Sequence, residues 1–192
     1  MNVSKDHSIA FAWLGMIAVA IFMIAWVCAA AADTAWQFGV NNLSDFGVSD
    51  TDARLYFNYG CIITGILLLC WGLGRIAFVK SPGHVAGGVL IAFGSIGLIG
   101  VGLFNSDTGD WHLFFAVTAG LFVFLAIAAV SVGNWMADRK VFAGIGLVVT
   151  IMLFAMFVAY DIAMLEAYGI ILAMIWVLVE STNMILSHKK GI

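Results

Sequence analysis

Long apolar stretches separated by short polar ones set the pattern of this chain. Six such stretches recur, roughly 9–31, 57–79, 84–104, 111–132, 141–160 and 167–186. Each is long enough to cross a hydrocarbon layer of about 30 Å as a helix rising about 1.5 Å per residue. None alternates apolar and polar positions over about ten residues, as barrel strands facing lipid do. The pattern predicts an all-α polytopic membrane protein, a single six-transmembrane-helix bundle over residues 1–192. The small residues Ala29 to Ala32 resemble a signal-peptide cleavage region, but the apolar core before them is too long for one. That stretch reads as a retained span.

Boundary residues sharpen the elements. Ser81-Pro82 is a helix start, with serine as the N-cap and proline at the first helical position. Asp110, Asp138 and Asp161 are expected to cap the fourth, fifth and sixth spans. The third span carries Gly87, Gly88, Gly94, Gly97, Gly100 and Gly102, small residues that let helices approach closely in lipid, so it is expected to be the most enclosed. The one long connection, 32–56, repeats Trp36, Val40, Leu43 and Gly47 at helical spacing beside Phe46. That suits a short amphipathic piece lying in the interface, either a plain connector or a lid over the bundle mouth.

Composition supports the membrane reading. Hydrophobic residues are 64% and charged residues 10% of the 192, against about 25% charge in soluble domains; mean hydropathy is +1.09. Charge placement adds orientation. Lys5, Arg75, Lys80, Arg139, Lys140, Lys189 and Lys190 share one side with both termini, and Arg54 alone lies opposite. Positive residues stay cytoplasmic, so both termini are expected inside a cell membrane. The outer side collects Asp33, Asp45, Asp50, Asp52, Asp107, Asp110, Asp161 and Glu166. There is no basic patch for nucleic acid. Expected partners are membrane lipids, with a homo-oligomer or a membrane-protein partner open. Cys28, Cys61 and Cys70 show no paired-ligand spacing and read as small apolar packing residues. Cys28 and Cys61 fall near outer helix ends, where a disulfide is compatible.

Candidate chemistry gathers at the outer side. Asn105-Ser-Asp-Thr-Gly-Asp-Trp-His112 packs Asp107, Asp110 and His112 into eight residues. Histidine with carboxylates can bind a metal or pass protons, although the spacing matches no zinc signature. No cofactor is required. Asn42, Ser44, Asp45 and Asn58, with His112, could hydrogen-bond a headgroup or sugar, or serve only as turn residues. Asp45, Asp107 and Glu166 are the carboxylates that a catalytic His112 would draw on. At membrane depth, Glu180 lies fourteen residues beyond Glu166, about 21 Å further along a helix. A charge facing lipid costs at least about 2.5 kcal/mol. Arg75 sits at matching depth, so an Arg75–Glu180 ion pair is expected, with Asn183 on the same face as Glu180.

The pattern Asn42-Leu-Ser-Asp-Phe-Gly47, then Phe57-Asn-Tyr-Gly60 with Gly65, then Gly102-Leu-Phe104 leading to His112, resembles the prokaryotic six-span proteins grouped as domain of unknown function 998. The resemblance covers nearly the whole chain, with Phe46 standing where those proteins usually have leucine. It implies six helices and directs attention to Asn42, Ser44, Asp45, Asn58 and His112. It implies no activity. Two functions fit. The first is a non-catalytic protein that binds or moves a lipid or small polar molecule, or serves as an accessory subunit. The second is a membrane-embedded lipid hydrolase or transferase using His112 with outer carboxylates. The chain is loosely similar to the seven-span superfamily that includes alkaline ceramidases, which use His, Asp and Ser near the membrane face. Only His112 falls on the outer side here; His7, His84 and His188 fall inside.

Overall fold

The computed structural model describes residues 3–79 and 81–189, with side chains for 8–79 and 81–187. The sequence readings that rest on Lys5, His7, Lys80, His188, Lys189 and Lys190 side chains lie outside these. The described residues form six helices: α1 Val3–Ala32, α2 Ala53–Phe78, α3 Pro82–Leu103, α4 Asp110–Met136, α5 Lys140–Ala159 and α6 Ile162–Lys189. All six contain a segment long and apolar enough to cross a membrane. No strand occurs among the described residues. Each helix packs on its neighbours in sequence, and α6 closes the ring against α1.

Two apolar clusters fill the ring. One draws on all six helices, with Trp71, Ile91, Ile127, Val130, Val149 and Trp176 among its members. The other lies under the long connection and joins Phe22, Trp26, Leu43, Phe46, Phe57 and Val101. Outward faces stay apolar because lipid, not water, covers them. α3 is the most enclosed, half buried along its most apolar stretch, against 17% for α4 and α5.

Glycine makes that enclosure. A Cβ on Gly88 would sit 2.9 Å from the Gly72 carbonyl oxygen and 2.8 Å from Ile76 Cγ1 on α2. On the opposite face, a Cβ on Gly83 would sit 2.7 Å from Gly133 Cα on α4. α3 thus touches backbone on both sides, where the contact area per residue is largest.

Three expectations fail locally. Asp110 is the first residue of α4, and Gly109, at φ +59°, holds the cap position. Asp138 adopts φ +57° in the turn, and Arg139 caps α5. The turn needs a left-handed residue, and a short aspartate tolerates that conformation. The stripe Trp36, Val40, Leu43, Gly47 does not become an interfacial helix. Only Leu43–Val48 coils, as a 3₁₀ turn, with Phe46 wholly buried and Val40 70% exposed. Phe46 ranks above the stripe because it fills the outer core: its ring lies 4.6 Å from Trp36 and 6.2 Å from Phe57. At α6 the expected cap holds, with Asp161 Oδ1 accepting from the Met164 amide at 2.9 Å.

Gly88→Val should destabilise the protein by about 1–3 kcal/mol, the typical cost of overpacking, read as a lower midpoint of thermal unfolding in detergent. An unchanged midpoint would show that the α2–α3 contact does not limit stability.

Candidate functional site

The outer candidates are held by backbone. His112, one turn into α4, donates from Nδ1 to the Phe104 carbonyl at 2.8 Å and so ties the α3–α4 loop to α4. Glu166 Oε2 accepts from the Leu43 amide at 2.7 Å and from the Ser44 amide at 3.4 Å. Asp45 Oδ2 accepts from the Asn42 amide at 2.9 Å. The Asn42 carbonyl accepts from Trp36 Nε1 at 2.9 Å, and the Ser44 carbonyl from Ser106 Oγ at 3.2 Å. Asn58 Nδ2 donates to the Gly47 carbonyl at 3.1 Å. Asp107 is exposed at the loop tip.

Glu166 lies near both Asp45 and His112. Among the described residues no hydrogen bond joins Ser44 Oγ to His112. Nor do the described residues bring together a group of three or more metal-ligating side chains. Cys28 and Cys61 are free thiols.

A second constellation lies deeper, at the opposite end of the bundle. Arg75 Nη2 donates to Glu180 Oε2 at 3.1 Å, with the two residues 1% and 0% exposed. The other carboxylate oxygen, Oε1, accepts from Asn134 Nδ2 at 2.6 Å. Asn183 Nδ2 donates to Glu180 Oε2 at 3.2 Å and to Asn134 Oδ1 at 2.8 Å. His84 Nε2 meets Asn134 Oδ1 at 3.0 Å. The Arg75 guanidinium also lies 5.3 Å from the centre of the Trp71 ring, within cation–π range.

Asn134 turns its NH₂ toward Glu180. Asn134 then offers its oxygen to His84, so His84 Nε2 carries the hydrogen. His84 Nδ1 lies buried against Gly133, and no described residue hydrogen-bonds it. Among the described residues Arg75 Nε and Nη1 have no acceptor. In the α4–α5 turn, Arg139 feels the same cluster. Burial first, and Arg75 after it, holds its guanidinium below the usual range, while Glu180 opposes both.

Helix periodicity explains the convergence. Glu180 and Asn183 share a face of α6 at i, i+3, and Ser187 Oγ, one turn on, donates to the Asn183 carbonyl at 2.7 Å. Arg75 is near the end of α2 and His84 in the first turn of α3, so the short α2–α3 turn brings them to one level. Asn134 near the end of α4 reaches that level from the next helix. His84 and Asn134 escaped the sequence reading, although each is polar within an apolar run at the depth that matched Arg75 with Glu180.

The fold and this buried cluster define a six-helix bundle of the integral membrane class. The chain belongs to the family described as protein of unknown function, DUF998, whose model matches residues 16–182. That span includes Arg75, His84, His112, Asn134 and Glu180. No curated protein and no solved structure matches the chain.

Arg75→Leu and Glu180→Leu should each cost about 3–5 kcal/mol, because each leaves a buried charge unpaired. The double variant should cost less than the sum, with coupling of about 0.5–3 kcal/mol. Denaturant titration in mixed micelles measures all three, and strict additivity would show that the two charges act independently.

Proposed function

We propose that this is a non-catalytic protein of the cell membrane that binds or moves a small polar molecule or a lipid headgroup. Its working site on this reading is the Arg75–Glu180–Asn134–His84 cluster. The observation that carries the reading is that Arg75, almost fully buried, holds Glu180 with one nitrogen while Nε and Nη1 find no acceptor among the described residues. Polar groups at membrane depth are costly and, by default, mark a path or site. A pair serving only to specify the bundle would be expected to satisfy its own donors. The outer residues favour the non-catalytic alternative, since His112, Glu166 and Asn58 are engaged in fastening loops to helices.

The reading includes an orientation. Arg75, Arg139 and Lys140 lie at one end of the bundle and the acid-rich loops at the other, which supports a cytoplasmic location for both termini. In a variant lacking the native cysteines, Thr108→Cys should react with a membrane-impermeant maleimide on intact cells. Met136→Cys should react only after permeabilisation, and the reverse pattern would invert the topology.

Arg75→Lys separates binding from folding. Lysine keeps the charge for Glu180 but lacks the planar fork of donors. Mass spectrometry of the protein drawn into native-lipid particles should find a molecule retained by the wild type. That molecule should fall about tenfold or more in Arg75→Lys, the effect of losing a hydrogen bond to a charged group worth about 1.5–3 kcal/mol, while the thermal midpoint stays near that of the wild type. Equal retention in a folded variant removes the cluster from ligand handling.

A further inference from the structure

A groove of about 260 Å³ opens where the acid-rich ends of α2 and α3 meet. Arg54, Asn58, Tyr59 and Ile62 of α2 line it with Gly102 and Leu103 of α3. Gly102 keeps the backbones in touch there, since a Cβ on it would lie 2.5 Å from the Asn58 carbonyl oxygen. Tyr59 and Leu103 remain 61% and 62% exposed, so the groove is open to the surroundings of the bundle.

Its lining changes character with depth. Arg54 is the second residue of α2, and Ile62 lies eight residues on, about 12 Å further along the helix axis. Tyr59 falls between them, an amphipathic ring of the kind that sits at headgroup level. Below the groove, Ile66 continues the α2 face at i+4 from Ile62, and Ile96 continues the α3 face two turns from Leu103, both exposed. Cation, phenol and aliphatic stripe follow one another as phosphate, ester and acyl chain do in a phospholipid.

Charge points the same way. Arg54 makes no ion pair among the described residues, although Asp50 and Asp52 are near in sequence. No carboxylate lines the groove. A larger groove, about 430 Å³, runs along α4, but Asp110 lines it and would repel an anion.

We propose that the Arg54 groove binds one phospholipid of the adjoining leaflet, with its phosphodiester on the Arg54 guanidinium and the head of an acyl chain on Ile62 and Leu103. Arginine suits a phosphate because its planar fork offers two parallel donors. A cation in the first turn of a helix meets the positive helix end, and a bound anion offsets that repulsion. The volume is below the roughly 300 Å³ at which pockets enclose a drug-sized ligand. It therefore takes the phosphate and glycerol, while the chains lie along Ile66 and Ile96. The site is at the opposite end of the bundle from Arg75 and independent of what Arg75 binds.

Native mass spectrometry of the full chain, released from detergent with added phosphatidylglycerol, tests this. The wild type should retain the lipid. Arg54→Gln should retain about tenfold less or lower, with its thermal midpoint near that of the wild type. Lys140→Gln, which removes an exposed cation at the other end, should retain it fully. Diacylglycerol with the same chains, which lacks the phosphate, should not be held. Equal retention in a folded Arg54→Gln overturns the proposal. So does an equal fall in Lys140→Gln, the mark of general attraction between cations and anionic lipid. Displacement of the lipid by inorganic phosphate also overturns it, because the groove would then serve a free anion. A second measurement needs no variant. Phosphatidylglycerol carrying a diazirine near the glycerol end of one chain should label Tyr59, Ile62 or Leu103 of the wild type, and labelling that avoids α2 and α3 overturns the proposal.

Discussion

Inside a lipid bilayer a carboxylate cannot fall back on water, and the Glu180 side chain organises its surroundings for that reason. Its two oxygens receive Arg75 from α2, Asn134 from α4 and Asn183 from its own helix. Those contacts in turn orient Asn134 toward His84 on α3. One buried charge thereby sets the rotation of four helices about their axes. A helix turned by one residue, about 100°, would carry its polar group toward lipid, where the cost is several kcal/mol. Apolar packing alone is far more tolerant of such rotation, because lipid tails and leucine side chains are nearly equivalent surroundings.

The glycines of α3 supply the close approach that the polar cluster needs. With backbone touching backbone at Gly72–Gly88 and Gly83–Gly133, α2, α3 and α4 stand near enough for short side chains to meet. Asn134 and His84 are short compared with arginine and could not bridge a gap lined with leucine. Gly133 also leaves room for the His84 ring, whose Nδ1 would lie 2.8 Å from a Cβ there. Small residues and polar residues are thus two parts of one arrangement. The larger aromatic residues, Trp71 and Trp176, fill the volume above it.

At the other end the polar residues do a different job. The connection between α1 and α2 folds inward, burying Leu43 and Phe46, and so carries backbone amides into a partly apolar setting. Buried amides need acceptors. Glu166 supplies one for Leu43 and Ser44, while Ser106 and Asn58 bond the carbonyls of Ser44 and Gly47. A set of residue types that suggests chemistry from its composition is here engaged in fastening a loop. What distinguishes the two uses is whether the side chains bond one another or the main chain.

Hydrophobic run length alone fixed six spans, since the need to satisfy every backbone group within the bilayer leaves a helix as the way to cross. The matched depths of Arg75 and Glu180 were likewise readable, because depth along a helix is a count of residues. Positions within a turn, such as the left-handed Asp138 and Gly109, depend on how two helices must join, so capping rules misplace Asp138 and Asp110. Burial of Phe46 in place of the Trp36–Val40 stripe was decided by the cavity beneath the loop, a property of three other helices. Nor could the sequence show that His84 and Asn134 join Glu180, or that His112 turns to the Phe104 carbonyl. Facing across a bundle is set by helix rotation and neighbour order, which come into being only when all six helices pack. Residue spacing determines which groups share a face and a depth, and tertiary packing decides which of them meet.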